Sequence, residues 1–268
     1  IESIANTNGY NVIISQSHES AEKELVNLQY LTSRSVDGLI ISVSTETKDF
    51  KYFKEPHDRG MPIVFFDRIV DEIQTHKVIA DNFKGAYDAT THLVNCGYKR
   101  IATLCNTVFL SIGKERLAGY KAALKDNGIE PDDALIRYCQ HGGMVAAEME
   151  EAIDDLFKLK QVPDAIFASA DKLTTGCLRA LRAKGLSVPE DVGLIGFSNS
   201  ELTELLSPSL SVVKQPAFEM GEVATSLLIE LIESKRPVTD FQTRVLTTEM
   251  LIRSSTLLQK VKSKTVAG

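Results

Sequence analysis

Short apolar, β-branched runs alternate with longer stretches of helical periodicity from one end of the chain to the other. Residues 10–15, 38–43, 62–66, 77–80, 100–105, 135–138, 165–169 and 192–197 read as strands. Residues 21–34, 85–96, 115–127, 145–159 and 172–184 read as the helices between them. Within 145–159, Val145, Met149, Ile153 and Leu156 or Phe157 fall on one face at steps of three and four. Gly97, Gly128 and Gly185 each stand just past a predicted helix, where a capping glycine belongs. Residues 1–9 read as the tail of an amphipathic helix closed by Gly9.

This alternation predicts an α/β protein whose parallel sheets are covered by helices on both faces. The elements are too many for one compact sheet, and two doubly wound lobes suit 268 residues better. A simple split falls near Ala80. Residues 218–233 add a long helix and 244–253 an extended run, and each fits either lobe, so interleaved lobes are as consistent as sequential ones. In open parallel sheets a ligand sits at the carboxyl ends of the strands. Those ends read Ser15-Gln16-Ser17, Ser42-Val43-Ser44, Asp67-Arg68, Asn106-Thr107, Ala170-Asp171 and Ser198-Asn199. Hydroxyl, amide and carboxylate groups at such a rim, in a cleft between lobes, suit a small polar ligand.

Composition narrows the picture. With 30 Lys and Arg against 36 Asp and Glu the formal net charge is −6, which argues against a general electrostatic hold on nucleic acid by this chain. No apolar run approaches the ~18 residues of a membrane span. The four cysteines, Cys96, Cys105, Cys139 and Cys177, form no C-x-x-C pair, so no zinc framework is visible and a reducing cytosol is expected. The dinucleotide, P-loop and nucleophile-elbow motifs are missing, and the five histidines are scattered, with His92 reading as a packing or surface residue. No catalytic residue, metal or cofactor is predicted.

A few residues stand out. Arg116 falls in the first turn of the predicted 115–127 helix, where a cation opposes the macrodipole. It is either a surface Arg paired with an acid such as Glu115 or a group aimed at a ligand. Asp171 precedes a helix and reads as an N-cap, a role compatible with a rim contact. Asp67, with Arg68 beside it, is either part of a solvated turn or an acceptor for vicinal hydroxyls. The segment from Gly185 to Phe197 reads as a helix end, a Pro189-Glu190-Asp191 turn and a buried strand.

That segment carries a resemblance. "GLSVPEDVGLIGFSNS" followed by "SPSLSVVKQPAFEMG" resembles the lactose/galactose repressor (LacI/GalR) family of bacterial transcription regulators. "SRSVDGLIIS", "MPIVFFDR", "VIADNFKGAYDATTHLVNCGYKRIATL", "KERLAGY" and "LTTEMLIRSST" agree in the same order over nearly the whole chain. The resemblance implies two Rossmann-like, doubly wound subdomains of the periplasmic-binding-protein type, joined by three crossovers near 81–83, 213–216 and 239–242. The N-terminal subdomain is then 1–81 plus 216–240, the C-terminal one 82–215 plus 241–260, and 261–268 a tail. It further implies a first strand, central in the family's sheet, and a DNA-binding helix-turn-helix that this chain does not contain.

By the same resemblance Arg116 matches an effector-binding Arg, Asp67 a cleft acid, Gln215 a residue near the ligand, and Asp171 the second member of an Asn-Asp pair. The chain departs from the pattern at Ala170, where the family has Asn, at Ser198, where it has Asp, and near Gly143, where a stacking aromatic is replaced. Phe66, Phe109 and Ser15 are the residues expected to supplement the grip. The function implied is a cytoplasmic, homodimeric regulator without enzymatic activity. It senses a sugar-like effector and controls operator binding allosterically, with its dimer face on the 21–34 and 172–184 helices. The competing reading is a periplasmic sugar-binding protein of a transport system.

Overall fold

The computed structural model of the chain describes residues 1–106 and 110–257. The first half runs α1 (Glu2–Thr7), α2 (Ala21–Ser33), β1 (Leu39–Ile41), α3 (Lys51–Asp58), β2 (Ile63–Phe66), β3 (Lys77–Ala80), α4 (Asn82–Asn95), β4 (Ile101–Cys105) and α5 (Ser111–Asp126). The second runs β5 (Ile136–Tyr138), α6 (Ala146–Phe157), β6 (Ala165–Ala168), α7 (Asp171–Ala183), β7 (Gly193–Phe197), α8 (Leu202–Leu205), β8 (Ser211–Lys214), α9 (Ala217–Glu233), β9 (Thr243–Leu246) and β10 (Glu249–Leu251). The chain divides into two compact units. One gathers Ile1–Asn82, the stretch ending at Glu115, and Gln215–Thr248; the other gathers Phe83–Asn106, Arg116–Lys214 and the run from Glu249 onward.

The first unit holds a parallel sheet in the order β1-β2-β3-β9. Its strands alternate faces, as the two-residue period of a strand demands. Ile63 and Phe65 pack with Phe53 and Leu28 on the side of α2 and α3, while Val64 and Phe66 pack with Met220, Ala224 and Leu228 of α9. The second unit holds the sheet β10-β8-β7-β6-β4-β5, parallel except for β10. Ala102, Leu104, Ile166 and Leu194 face α6 and α7 with Met149, Ile153 and Leu181. Ile101, Cys105, Phe167 and Phe197 face α4 and α5 with Leu93, Tyr120 and Leu124. Both sheets are thus packed on two faces, and their central strands β2, β6 and β7 carry no polar residue. Gly97, Gly128 and Gly185 take the left-handed conformation past α4, α5 and α7, as capping requires. No described helix is long and apolar enough to cross a membrane.

Five expectations need correction. Residues 10–15 form no strand, and Ile14 is 80% exposed. A strand exists only where a neighbour takes its backbone groups, and β1 closes the described sheet without reaching this stretch. The extended run 244–253 divides in two: Thr243–Leu246 pairs with β3, and only Glu249–Leu251 reaches β8. The last passage between units therefore lies at Thr248, not at 239–242, and Gln215 opens the first unit's last segment. Helix α5 begins at Ser111, so Arg116 sits in its second turn, past the reach of the amino-terminal dipole. Asp171 is the first helical residue of α7, while Ala170 occupies the cap position. Phe109 and the 261–268 tail lie outside the described residues.

In "RLAGY", Gly119 lets α5 meet α4. A Cβ there would collide with the Phe83 carbonyl and stand 3.0 Å from the Tyr87 nitrogen. Tyr120 beside it is fully buried, stacks on Phe167 at 6.3 Å and donates to the Ile101 carbonyl at 2.7 Å. Gly119→Ala is expected to lower stability by about 1–3 kcal/mol through overpacking, measured by urea unfolding; an unchanged midpoint would contradict this packing.

Two histidines make stability depend on pH. His76 is buried, with Nδ1 accepting the Gln242 N–H at 3.0 Å, and His92 bonds Thr256 Oγ1 at 2.8 Å. Burial lowers both pKa values, and for His76 it outweighs the opposing influence of Glu230, the Gln242 bond and Asp240. The unfolded chain therefore takes up protons first, and stability falls as pH drops below the unfolded value of ~6.5. The melting temperature is expected to fall between pH 7.5 and 5.5, and less steeply in a His76→Asn, His92→Gln double variant. Equal slopes in variant and parent would refute the assignment.

Candidate functional site

In the second unit, four groups meet at the carboxyl edge of the central strands. Strands β4, β6 and β7 are adjacent, so the residues following them share one edge. Arg116 comes to this edge from α5 and is only 4% exposed. Its Nη1 donates to the Ser169 carbonyl at 2.6 Å, and its guanidinium lies 3.5 Å from the centre of the Phe197 ring. The contact with Phe197 is a cation–π interaction, strong where water is excluded. Ser198 is buried after β7, and its hydroxyl donates to Asp171 Oδ1. The same Ser198 oxygen accepts the Ser200 N–H at 3.1 Å. Thr174 fastens α7 to this edge by donating to the Ala170 and Phe197 carbonyls at 2.8 and 3.0 Å.

In the first unit, a second cluster sits after β2. Asp67 adopts φ 59°, a left-handed conformation that costs a non-glycine residue about 1–3 kcal/mol. Its Oδ1 accepts from Gln215 Nε2 at 2.8 Å. Arg68 pairs with Glu19 at 2.6 Å, and Glu19 also accepts the Thr45 N–H at 2.9 Å. Burial works against the Glu19 charge, but the bonds from Arg68 and Thr45 outweigh it and hold the carboxyl below its usual range. Phe66 is half-buried and packs inward against the α9 cluster. Ser15 is exposed on the extended 10–15 stretch, and among the described residues no hydrogen bond joins it to Asp67 or Gln215.

The structure thus brings Arg116, Asp171 and Ser198 together in one unit and Asp67 with Gln215 in the other, and it leaves Ser15 apart from that pair, a grouping not made by the sequence reading. The sequence reading missed Glu24, a buried carboxylate that accepts from the Ser44 N–H at 2.6 Å, Thr47 Oγ1 at 2.6 Å and Tyr52 OH at 2.7 Å. Glu24 fixes the loop that follows β1. Nothing in its spacing on α2 distinguishes it from a surface glutamate. The four cysteines are free thiols, and burial pushes Cys105 up to about 11 and Cys139 up to about 12. Thiols held protonated in this way are packing groups and poor nucleophiles. Among the described residues, no three His, Cys, Asp or Glu side chains converge as a metal site would require.

Comparison with known proteins gives this geometry its setting. Residues 90–256 match the periplasmic binding protein-like domain family. The HTH-type transcriptional repressor PurR of Vibrio atlanticus is 30% identical over 235 residues, covering 88% of this chain and 69% of that protein. Catabolite control protein A of Priestia megaterium is 31% identical, covering 88% and 70%. The solved transcriptional regulator CelR–cellobiose complex superposes with a TM-score of 0.82 at 30% identity, covering 95% of this chain and 76% of that one. These relatives are transcriptional regulators, which favours that reading over a transport protein. The chain belongs to the periplasmic binding protein-like family and, within it, to the LacI/GalR-type transcriptional regulators.

Proposed function

We propose that this chain is the effector-sensing and dimerising core through which a cytoplasmic, non-enzymatic regulator controls its hold on operator DNA. The effector is a small polar molecule of the sugar class. Within the second unit its contacts come from Arg116, Asp171 and Ser198, which share one strand-end edge. The observation that carries this reading is the guanidinium of Arg116, oriented by the Phe197 ring and the Ser169 carbonyl at a strand-end edge. A planar fork fixed in this way is pre-set for the oxygens of a hydroxylated or acidic ligand. The relative solved with cellobiose supports the sugar class. An effector acts only through its differential affinity for two arrangements of the protein. With a net charge of −6, DNA contact falls to a helix-turn-helix module outside this chain.

Dimerisation is supported on both helices named from the sequence. Val26 and Tyr30 stand exposed one turn apart on α2. Thr175, Arg179 and Arg182 of α7 line a concavity of about 370 Å³ with Leu202, Thr203 and Leu206. Leu205 beside it is 80% exposed. A twofold dimer sets the spacing of two DNA half-sites, so these faces serve the same control.

Thermal-shift and calorimetric screening against cellobiose, D-ribose, D-gluconate and adenosine tests the effector. A ligand at a hundred times its Kd adds about 2.7 kcal/mol of stability, a rise of roughly 5–10 °C for a chain of this size. Arg116→Ala is expected to weaken binding of the responding ligand about 10- to 100-fold, the loss of a charge-assisted contact, while the free chain stays folded. Equal affinity in variant and parent would remove Arg116 from the site. For the dimer, Leu202→Asp with Leu205→Asp is expected to shift sedimentation from dimer to monomer; an unaltered dimer would place the interface elsewhere.

A further inference from the structure

The polar edge of the second unit contains one group that the sequence reading named only as a strand end. Asn106 directly follows β4, the strand between β6 and β5. On one side the Ser169 N–H donates to the Leu104 carbonyl at 2.9 Å, and on the other the Cys139 N–H donates to Cys105 at 2.8 Å. Asn106 therefore stands beside the Ser169–Asp171 turn, on the same strand-end edge as Arg116 and Ser198. Its Oδ1 is buried, and no hydrogen-bond donor among the described residues reaches it. Buried side-chain acceptors are seldom left this way, because the desolvation is uncompensated.

The surroundings show what holds the carboxamide there. Gly142 at φ 59° lies against it: a Cβ at that position would stand 3.3 Å from Oδ1 and 3.7 Å from Cγ. Gly143 at φ 86° presses on the first turn of α7, where a Cβ would stand 2.7 Å from the Lys172 carbonyl carbon and oxygen. The loop is anchored at its other end by Glu148, which takes the Gln140 N–H at 2.5 Å and the His141 N–H at 3.1 Å. This glycine pair thus packs backbone, not side chain, between Asn106 and α7, and it offers the amide oxygen no donor. The terminal torsion of an Asn side chain is broad and soft, so the oxygen turns at little cost.

We infer that Asn106 is a specificity residue of the effector site. Its amide oxygen accepts a hydrogen bond from a hydroxyl or amine of the bound ligand, and ligands with no donor at that point are rejected. A site built around a buried acceptor discriminates strongly against analogues that leave it unpaired. The assignment rests on the effector reading given above.

The test uses Asn106→Leu, which removes the acceptor at similar size, and Asn106→Asp, which keeps it. Both are titrated by calorimetry with cellobiose, D-ribose, D-gluconate and adenosine, and the free proteins are melted alongside. Asn106→Leu is expected to bind the responding ligand about tenfold or more weakly, without lowering the melting temperature of the free chain. Asn106→Asp is expected to retain more of that affinity than Asn106→Leu. If Asn106→Leu binds as tightly as the parent, or if it melts lower with its affinity unchanged, Asn106 is structural and the inference fails while the effector reading stands. If the parent responds to none of the four ligands, the effector reading fails and takes this assignment with it.

Discussion

Arg116 carries a permanent positive charge in a place that water scarcely reaches. Its position depends on three other parts of the second unit: the Phe197 ring beneath it, the Ser169 carbonyl beside it and the helix α5 that delivers it. Phe197 in turn belongs to the apolar layer under α4 and α5, together with Phe167 and Tyr120. The charge is therefore tied to the core, and the core to the close approach of α4 and α5 at Gly119. A residue in the binding edge and a residue in the helix crossing are parts of one construction.

The first unit follows the same plan with different chemistry. Its edge is acidic and amide-bearing, with Asp67 held in a left-handed conformation and bonded to Gln215, which arrives from a distant part of the chain. A buried Glu24 and a paired Glu19 fasten the loops around it. In both units the central strands β2, β6 and β7 are apolar on both faces, and the polar groups of the candidate site gather at the strand ends. The parallel, doubly covered sheet thereby concentrates polar chemistry where a ligand is met.

Much of this was legible in the sequence because buried parallel strands and amphipathic helices leave strong patterns. The runs that became β2, β3, β4, β6 and β7 are short, apolar and β-branched, and the glycines after α4, α5 and α7 mark their ends. The errors have a common cause: they depend on neighbours that a local pattern does not show. Residues 10–15 have the composition of a strand but no partner among the described strands. The 244–253 run contains two strands that serve different sheets. Asp171 was read as a cap, yet its carboxylate is taken by the Ser198 hydroxyl from a strand away. Position on a helix and at a strand end singled out Arg116 and Asp67, family likeness added Gln215, and the buried oxygen of Asn106 shows only in three dimensions.

The central claim is that the Arg116 guanidinium touches the effector. Side-chain ¹⁵N spectra of arginine-labelled protein, with the Arg116 signal identified by its loss in an Arg116→Lys sample, observe that group directly. Saturation with whichever sugar-class ligand stabilises the chain should shift and sharpen the Arg116 resonance more than those of the other arginines. A ligand that binds at full stoichiometry and leaves the Arg116 resonance where it was would contradict the account.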